Sequence, residues 1–331
     1  MGKQGKVKPK SDISNRMKES GVTQELYDSL NKFSNPKNVY NELRKIIKGQ
    51  DEALKKLALV SAQRDASLLM EVEGGVTSTG RTKHSSLMIS GNTGCGKTFM
   101  VRTLAEMLKA PIVSLDLSEY TGAGWKGKDI ENALNHLADV ATSNGFASLR
   151  TIVFVDEIDK VLRDASPHGD HKGEVLNELL VSLDRYENDR LPHTILWVFS
   201  GSFSLYRDKK TKLSQKGSIG FGSKMKETGG DITYKMNRDD YISAGMSPEF
   251  IGRITHTITL NPVGKKELRE ILDSEDNSPL IDLFDLAHYM GINLELDEDR
   301  RTKIVDEAVK LGNGVRGLRT AAELILFDGV M

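Results

Sequence analysis

This sequence has little cysteine, almost no net charge and no long apolar run. Cys95 is the one cysteine in 331 residues, so no disulfide can form within the chain and no zinc cluster can be built from cysteines. The 46 lysines and arginines nearly balance the 47 aspartates and glutamates, which gives no overall charge to attract nucleic acid. No apolar run approaches the roughly 18 residues of a membrane span, and the N-terminus lacks the apolar stretch of a secretory signal. We therefore expect a cytoplasmic protein with neither a membrane nor a nucleic acid as partner.

The one charge asymmetry lies in the first 20 residues, where basic residues outnumber acidic ones. They are Lys3, Lys6, Lys8, Lys10, Arg16 and Lys18, against Asp12 and Glu19. A segment of this composition is either a solvated tail or an arm for an acidic partner. The turn signal Ser34-Asn35-Pro36 closes the polar stretch. We predict a flexible N-terminal arm over residues 1–35.

Beyond residue 36 the chain alternates between helical and strand-like patterns. Apolar residues at helical spacing predict two helices between Pro36 and Leu69, interrupted at Gly49-Gln50. Short apolar runs predict strands at Ser85–Ser90, Pro111–Asp116, Thr151–Val155, Thr194–Phe199 and Ile254–Leu260. Helices are predicted between them at Lys97–Leu108, Asp129–Val140 and Gly173–Leu183. This alternation indicates an α/β fold, with a mainly parallel sheet covered by helices on both faces.

After Asn261-Pro262 the pattern changes to helices alone. They are predicted at Lys265–Leu272, Pro279–Tyr289, Asp297–Leu311 and Leu318–Phe327. A chain of this length supports one large domain and a smaller one. We therefore predict an α/β domain over residues 36–261 and a small, mainly helical domain over residues 262–331.

The segment from Gly91 to Thr98 fits the phosphate-binding P-loop pattern in full. Its glycines let backbone N–H groups turn inward around phosphate oxygens, and the following helix adds the positive end of its dipole. Lys97 would reach the β- and γ-phosphates of ATP, and Thr98 would hold Mg²⁺ through its hydroxyl. A bare glycine turn is the alternative, but the strand before the loop and the helix after it argue against that. The predicted nucleotide-binding residues are Gly91, Asn92, Thr93, Gly94, Cys95, Gly96, Lys97 and Thr98.

Asp156 and Glu157 follow the predicted strand Thr151–Val155. An acidic pair at the end of a buried apolar strand is costly unless it faces a cation or water. Asp156 is placed to hold Mg²⁺ through water, as a Walker-B aspartate does, and Glu157 to activate the attacking water as general base. The alternative is an acidic cluster that merely starts a helix, and the P-loop upstream favours the catalytic interpretation.

Cys95 lies within the loop, at a helix N-terminus, where the pKa of a thiol would be lowered. It is either a redox switch or a small residue tolerated at a variable position of the loop. We favour the second interpretation.

With these motifs in place, the sequence resembles the AAA+ ATPases and, within them, the ClpX-type protein unfoldases. The resemblance runs from about Pro36 to Phe327. It implies a P-loop AAA+ large domain, ATP and Mg²⁺ as cofactors, and a homo-hexamer that hydrolyses ATP at subunit interfaces. The segment Ile46-Ile47-Lys48-Gly49-Gln50 looks like the one that lines the adenine pocket, which adds Ile47, Gly49 and Gln50 to the nucleotide contacts.

Two arginines and a serine gain roles from the resemblance. Arg253, in Ser247-Pro248-Glu249-Phe250-Ile251-Gly252-Arg253, looks like the arginine finger that acts on ATP in the neighbouring subunit. Arg316 looks like the sensor-2 arginine that faces the phosphates. Without the resemblance, either arginine could equally be a surface residue or an ion-pair partner. The sensor-1 position should be a polar group that ends the strand Thr194–Phe199, and we assign it to Ser200, with Ser202 as second choice.

The segment Gly124-Trp125-Lys126-Gly127 resembles the first pore loop of ClpX-type unfoldases, where an aromatic side chain grips the polypeptide. A large aromatic residue between glycines, in a loop without apolar neighbours, is hard to explain by packing. The family usually has tyrosine followed by an aliphatic residue. Trp125 offers more contact area, so the grip should survive. The alternative is that Trp125 folds back onto its own domain.

The tripeptide Ile219-Gly220-Phe221 lies in a polar loop and is similar to the one that docks a ClpX-type ring onto a ClpP-like peptidase. The alternative is that this loop anchors itself on its own domain. The resemblance thus implies an unfolded or tagged protein as substrate and a peptidase ring as partner.

Three features of the family are missing from the sequence. The sequence has no Cys-rich N-terminal module, so we expect no zinc-binding domain of the family's kind. Only Asp184–His193 occupies the place of a long basic tag-selecting loop. The sequence stops just after Phe327, short of the family's last strand, which is either truncated or divergent. Two hypotheses follow: an unfoldase that threads polypeptide towards a peptidase, and a remodelling or assembly factor without one. A nucleic-acid motor is a third, opposed by the neutral charge balance.

Overall fold

The structure is a computed structural model, and it describes residues 10–74, 85–116, 139, 150–162, 179, 195–217, 234–275 and 277–327. Its strands form one parallel sheet of five: β1 (Ser85–Ser90), β2 (Ile112–Asp116), β3 (Ile152–Asp156), β4 (Leu196–Gly201) and β5 (His256–Thr259). The strand order is β2-β3-β4-β1-β5. Because β1 has a neighbouring strand on each side, the loop that follows it lies within the row of carboxyl strand ends, and not at the margin of the sheet. In α/β proteins this edge is where ligands bind.

Helices precede, flank and follow this sheet. Before it come α1 (Lys10–Ser20), α2 (Gln24–Phe33), α3 (Pro36–Ile46) and α4 (Asp51–Val72). Between or beside the strands lie α5 (Lys97–Leu108), α6 (Ile158–Val161), α7 (Ser204–Gly217), α8 (Arg238–Ser243) and α9 (Pro248–Arg253). The chain continues with α10 (Lys265–Leu272), α11 (Ile281–Tyr289), α12 (Glu298–Leu311) and α13 (Val315–Phe327). No helix in the described ranges is both long and apolar enough to cross a membrane.

The sheet separates two apolar cores, because successive residues of a strand point to opposite faces. Ile152 and Phe154 belong to the core under α3, α4 and α5. Val153 and Val155 belong to the core under α8 and α9. A strand buried on both faces reads as a continuous apolar run, which is why β3 is recognisable from sequence. The predicted α/β fold is confirmed, with β1 and α5 at the predicted bounds.

A third core joins α10 to α13 into a small helical lobe. The last residue of the first core is Leu260, and the first residue that packs on the third core is Val263. This change of core within three residues supports the proposed boundary between residues 261 and 262. The four predicted helices are all present, and their starts differ from the predicted ones by up to three residues.

The N-terminal segment differs from its prediction. Residues 10–33 form α1 and α2 instead of a flexible arm, while residues 1–9 lie outside the described part. Met17 and Val22 pack against Val72 of α4, and Leu30 and Phe33 of α2 are also buried. The prediction rested on the basic composition of the segment and gave no weight to these apolar residues. Their burial against α4 offsets the conformational entropy lost when the segment is ordered.

A buried ionic cluster anchors α2 to the sheet. Arg64 and Arg150 both donate hydrogen bonds to Asp65, and all three side chains are almost fully buried. Arg150 also donates to Ser29 Oγ (2.9 Å) and to the Leu108 carbonyl (2.8 Å). The cluster therefore connects α2, α4 and the end of α5 at the start of β3.

Candidate nucleotide-binding site

The loop between β1 and α5 has the backbone that phosphate binding requires. Gly94 and Gly96 have φ angles of +76° and +95°, which residues with a Cβ rarely adopt. Lys97 Nζ donates to the carbonyls of Gly91 (2.9 Å) and Asn92 (3.2 Å). The ammonium group therefore lies against the loop, close to the backbone N–H groups that would surround a phosphate.

Three neighbouring strands bring their polar ends together at Asp156. Thr98 Oγ1, at the start of α5, donates to Asp156 Oδ2 (2.9 Å). Ser200, which is fully buried in β4, donates to Asp156 Oδ1. The backbone N–H of Glu157 also donates to Asp156 Oδ1 (2.9 Å). The structure thus joins the predicted metal ligands Thr98 and Asp156 to the predicted sensor Ser200.

Glu157 has a strained backbone with φ of +55°, and its side chain is 44% exposed. Left-handed backbone at a residue other than glycine costs about 1–3 kcal/mol and is concentrated at functional sites. Lys160 Nζ lies 3.9 Å from Glu157 Oε2. Glu157 is one of the residues that line the cleft in front of the loop.

Asp159, the third acidic residue of this segment, has a different environment. It is buried and accepts hydrogen bonds from Ser202 N (3.1 Å), Ser202 Oγ (3.1 Å) and Phe203 N (3.2 Å). It therefore fixes the turn after β4. Ser202 lines the cleft and its hydroxyl is held by Asp159, whereas fully buried Ser200 does not line the cleft and bonds to Asp156. The choice of Ser200 over Ser202 as sensor stays a prediction.

A cleft of about 730 Å³ opens between the sheet and the small lobe, in front of the loop. Its apolar lining residues include Ile46, Ile47, Phe99, Val263, Ile271 and Pro279, and its polar ones Thr93 to Thr98, Asp156, Glu157, Ser202, Arg316 and Arg319. A cleft that combines apolar side chains with a glycine-rich loop, a lysine and arginines suits a base joined to phosphates.

Gln50 lines the cleft and bonds to Asn261, where the chain passes to the small lobe, and Gly49 lies against the small lobe itself. Gln50 Nε2 donates to the Asn261 carbonyl (2.9 Å) and Gln50 Oε1 accepts from Asn261 N (3.0 Å). Gly49 is not a lining residue of the cleft. A Cβ at Gly49 would lie 2.5 Å from Glu267 Cγ, so this glycine allows the close approach of α10.

The small lobe touches the loop directly. The N–H of Val315 donates to the Gly94 carbonyl (3.2 Å). A Cβ on Gly94 would lie 2.1 Å from the Asn313 carbonyl oxygen, and a Cβ on Gly314 would lie 2.5 Å from the Gly94 carbonyl oxygen. The start of α13 is therefore packed against the loop backbone, with Arg316 facing the cleft.

Arg253 lies away from the loop of its own chain. It is exposed at the end of α9, and its carbonyl accepts a hydrogen bond from Ser86 Oγ (2.6 Å), near the start of β1. The loop follows the other end of β1, and at the usual rise per residue that end lies about 13 Å from Ser86. The structure therefore does not bring Arg253 to the cleft of its own chain, and its role as an arginine finger stays a prediction.

Cys95 is 5% exposed and packs its sulfur against Gly91. Burial raises the pKa of the Cys95 thiol, while the charges of Lys97 and Arg207 oppose that shift. A thiol with a raised pKa is a poor nucleophile near neutral pH. This environment favours a packing role over a redox switch.

Two predicted loops lie outside the described residues: Gly124-Trp125-Lys126-Gly127 and Ile219-Gly220-Phe221. Conversely, sequence reasoning missed Arg207, whose guanidinium reaches the Asn92 side chain (2.8 Å), and the bond from Val315 to Gly94. Both contacts join residues more than 100 positions apart, and no local pattern marks them.

Comparison with known proteins agrees with this geometry. The family model of the ATPase family associated with various cellular activities (AAA) matches residues 87–208. The ATP-binding subunit ClpX of the ATP-dependent Clp protease from Bacteroides fragilis is 30% identical over 323 residues, covering 91% of this chain and 77% of the relative. This chain is also similar to the ClpX subunit of Bacteroides thetaiotaomicron, with 30% identity over 91% of this chain and 77% of the relative. For the ClpX subunit of Borrelia duttonii the identity is 29%, over 88% of this chain and 73% of the relative. The chain therefore belongs to the ClpX-like AAA+ ATPases, enzymes that bind and hydrolyse ATP.

Proposed function

We propose that this chain is an ATP-driven protein unfoldase and translocase that works as a homo-hexameric ring. Its relatives are named as ATP-binding subunits of an ATP-dependent protease, which supports a polypeptide as substrate. The observation that carries the proposal is the hydrogen bond from Val315 to the Gly94 carbonyl. Because the small lobe is bonded to the phosphate loop itself, a change in the loop on hydrolysis would turn one lobe against the other.

The residues around Asp156 fit a Mg²⁺ ion. Thr98 Oγ1 and Asp156 Oδ2 are two oxygen atoms 2.9 Å apart, and Mg²⁺ prefers oxygen atoms as ligands. When bound, the ion would neutralise charge on the phosphates. Lys97 would leave the loop carbonyls for the phosphates, and Ser200 would hold Asp156 in its present orientation. Glu157 would accept a proton from the attacking water.

Two arginines would complete the site in the ring. Arg316 faces the cleft from the small lobe and would contact the phosphates of its own subunit. Arg253 would reach ATP in the neighbouring subunit, which its position at the far end of β1 supports. An arginine supplied in trans stabilises charge that develops on the γ-phosphoryl group. Hydrolysis would then depend on assembly of the ring.

Trp125 would grip the polypeptide in the central pore, and the tripeptide Ile219-Gly220-Phe221 would dock a ClpP-like peptidase. Both assignments rest on the sequence. A cytoplasmic location also stays a prediction. The second candidate function is a remodelling or assembly factor without a peptidase, favoured by the short Asp184–His193 segment in place of a tag-selecting loop.

A substrate trap tests the proposal. The Glu157→Gln variant in ATP should hold its polypeptide substrate, so affinity capture should recover that substrate together with any peptidase. The control is the same variant in ADP, which should release both. Loss of the peptidase alone on deletion of residues 219–221 would confirm the docking tripeptide. Recovery of substrate without any peptidase would favour the remodelling factor, and recovery of neither would contradict both candidates.

A further inference from the structure

Arg207 lies behind the phosphate loop, in the first half of α7. Its side chain is buried, with 4% of the residue exposed. The guanidinium donates from Nη1 to Asn92 Oδ1 (2.8 Å) and, at 3.5 Å, to the Ser202 carbonyl. Its buried Nε atom has no hydrogen-bond partner among the residues that the structure describes. A buried, partly unsatisfied guanidinium is uncommon in folded proteins and calls for an explanation.

No carboxylate within the described ranges forms an ion pair with Arg207. Burial lowers the pKa of its guanidinium, and the nearby Cys95, Tyr241 and Asp208 side chains only partly oppose this shift. A buried charge is normally paired, since the cost of removing it from water is large. Within the described residues, the positive charge of Arg207 is therefore only partly compensated.

Asn92 connects this charge to a second one. Its side-chain oxygen accepts from Arg207, and its backbone carbonyl accepts from Lys97 Nζ at 3.2 Å. Lys97, like Arg207, forms no ion pair with a carboxylate in the part of the chain described here. Both cations thus bond to one loop residue, and an anion bound in the loop would be attracted by both.

We propose that Arg207 is a positioning residue for the triphosphate: through Asn92 it sets the conformation of the loop, and its buried charge is balanced when the phosphates bind. The chemical class it serves is the polyphosphate of a nucleotide, and the base and ribose are not involved. The inference rests on the ATP hydrolysis of the family and is independent of the proposed pore and peptidase. Sequence comparison by motif would not mark this arginine, because it lies outside the P-loop pattern.

The Arg207→Met variant separates this role from a merely structural one. Methionine fills most of the volume of the arginine stem but carries no charge. Because an unpaired buried charge is removed and exposed Asn92 can bond to water instead, the melting temperature without nucleotide should stay the same or rise. The Kd for the non-hydrolysable analogue AMP-PNP should rise about tenfold, as expected for loss of a hydrogen bond to a charged group.

Controls make the outcome decisive. Lys209→Met, at an exposed position of the same helix, should change neither quantity. Adenosine, which has no phosphate, should bind Arg207→Met as well as the unchanged protein. Arg207→Lys should restore part of the AMP-PNP affinity, and Asn92→Ala should add little to Arg207→Met. A lowered melting temperature with unchanged AMP-PNP affinity would overturn the proposal, as would equal losses for adenosine and AMP-PNP.

Discussion

Gly314 offers a direct test of the contact between the small lobe and the phosphate loop. Its φ is +56°, and a Cβ there would lie 2.5 Å from the Gly94 carbonyl oxygen. Gly312, two residues earlier, has φ of +66° and nothing within 4 Å of the same added atom. The variants Gly314→Ala and Gly312→Ala therefore share the backbone strain, and only the first pushes the lobe away from the loop.

The magnitudes follow from these two environments. A left-handed alanine costs roughly 1–2 kcal/mol, so both variants should lose this much stability to backbone strain. In Gly314→Ala the Cβ must move to at least about 3 Å from the oxygen, which stretches the 3.2 Å bond from Val315 to Gly94. Loss of one such bond is worth about 1 kcal/mol. We therefore expect about a fivefold rise in the KM for ATP in Gly314→Ala alone.

The assay is steady-state ATP hydrolysis at several ATP concentrations, with thermal melting of each variant measured in parallel. Melting separates the two costs, because Gly312→Ala reports the backbone strain alone and Gly314→Ala should lose about 1 kcal/mol more. If Gly314→Ala and Gly312→Ala have the same KM for ATP, the small lobe does not act on the loop through this contact, and the reasoning is refuted.

Two further predictions concern residues of the loop and of β3. Glu157→Gln should bind ATP with nearly unchanged affinity and hydrolyse it at least about a hundredfold more slowly; turnover at the original rate in a hydrolysis assay would mean that another group activates the water. Cys95, the one thiol in the chain, should react slowly with iodoacetamide at neutral pH because burial raises the pKa of its thiol. The reaction should be slower still with ATP bound. Mass spectrometry measures the labelling, and rapid labelling would instead favour the redox switch.

The centre of the site could be predicted from sequence because its parts are local. The phosphate loop, with β1 before it and α5 after it, is one continuous pattern. Parallel strands place their carboxyl ends at one edge, so Asp156 and Ser200 were expected near Thr98, and the structure joins all three.

The remaining features depend on tertiary packing, which no local pattern records. The helices α1 and α2 are ordered by contacts with α4, more than 40 residues away in sequence, and their basic composition alone favours a flexible arm. Arg207 became part of the site through a hydrogen bond to a residue 115 positions away. The contact of Gly314 with Gly94 is similarly invisible, since a glycine in sequence shows only that a turn is allowed.

The measurement that tests the central claim most directly compares ATP hydrolysis with unfolding in the Trp125→Ala variant. The substrate is a folded fluorescent protein fused to a segment recovered in the trap experiment, and its loss of fluorescence reports unfolding. Because Trp125 is proposed to grip polypeptide and not nucleotide, ATP hydrolysis should stay within about twofold of the original rate while unfolding is abolished. Unfolding at the original rate in Trp125→Ala would contradict the account.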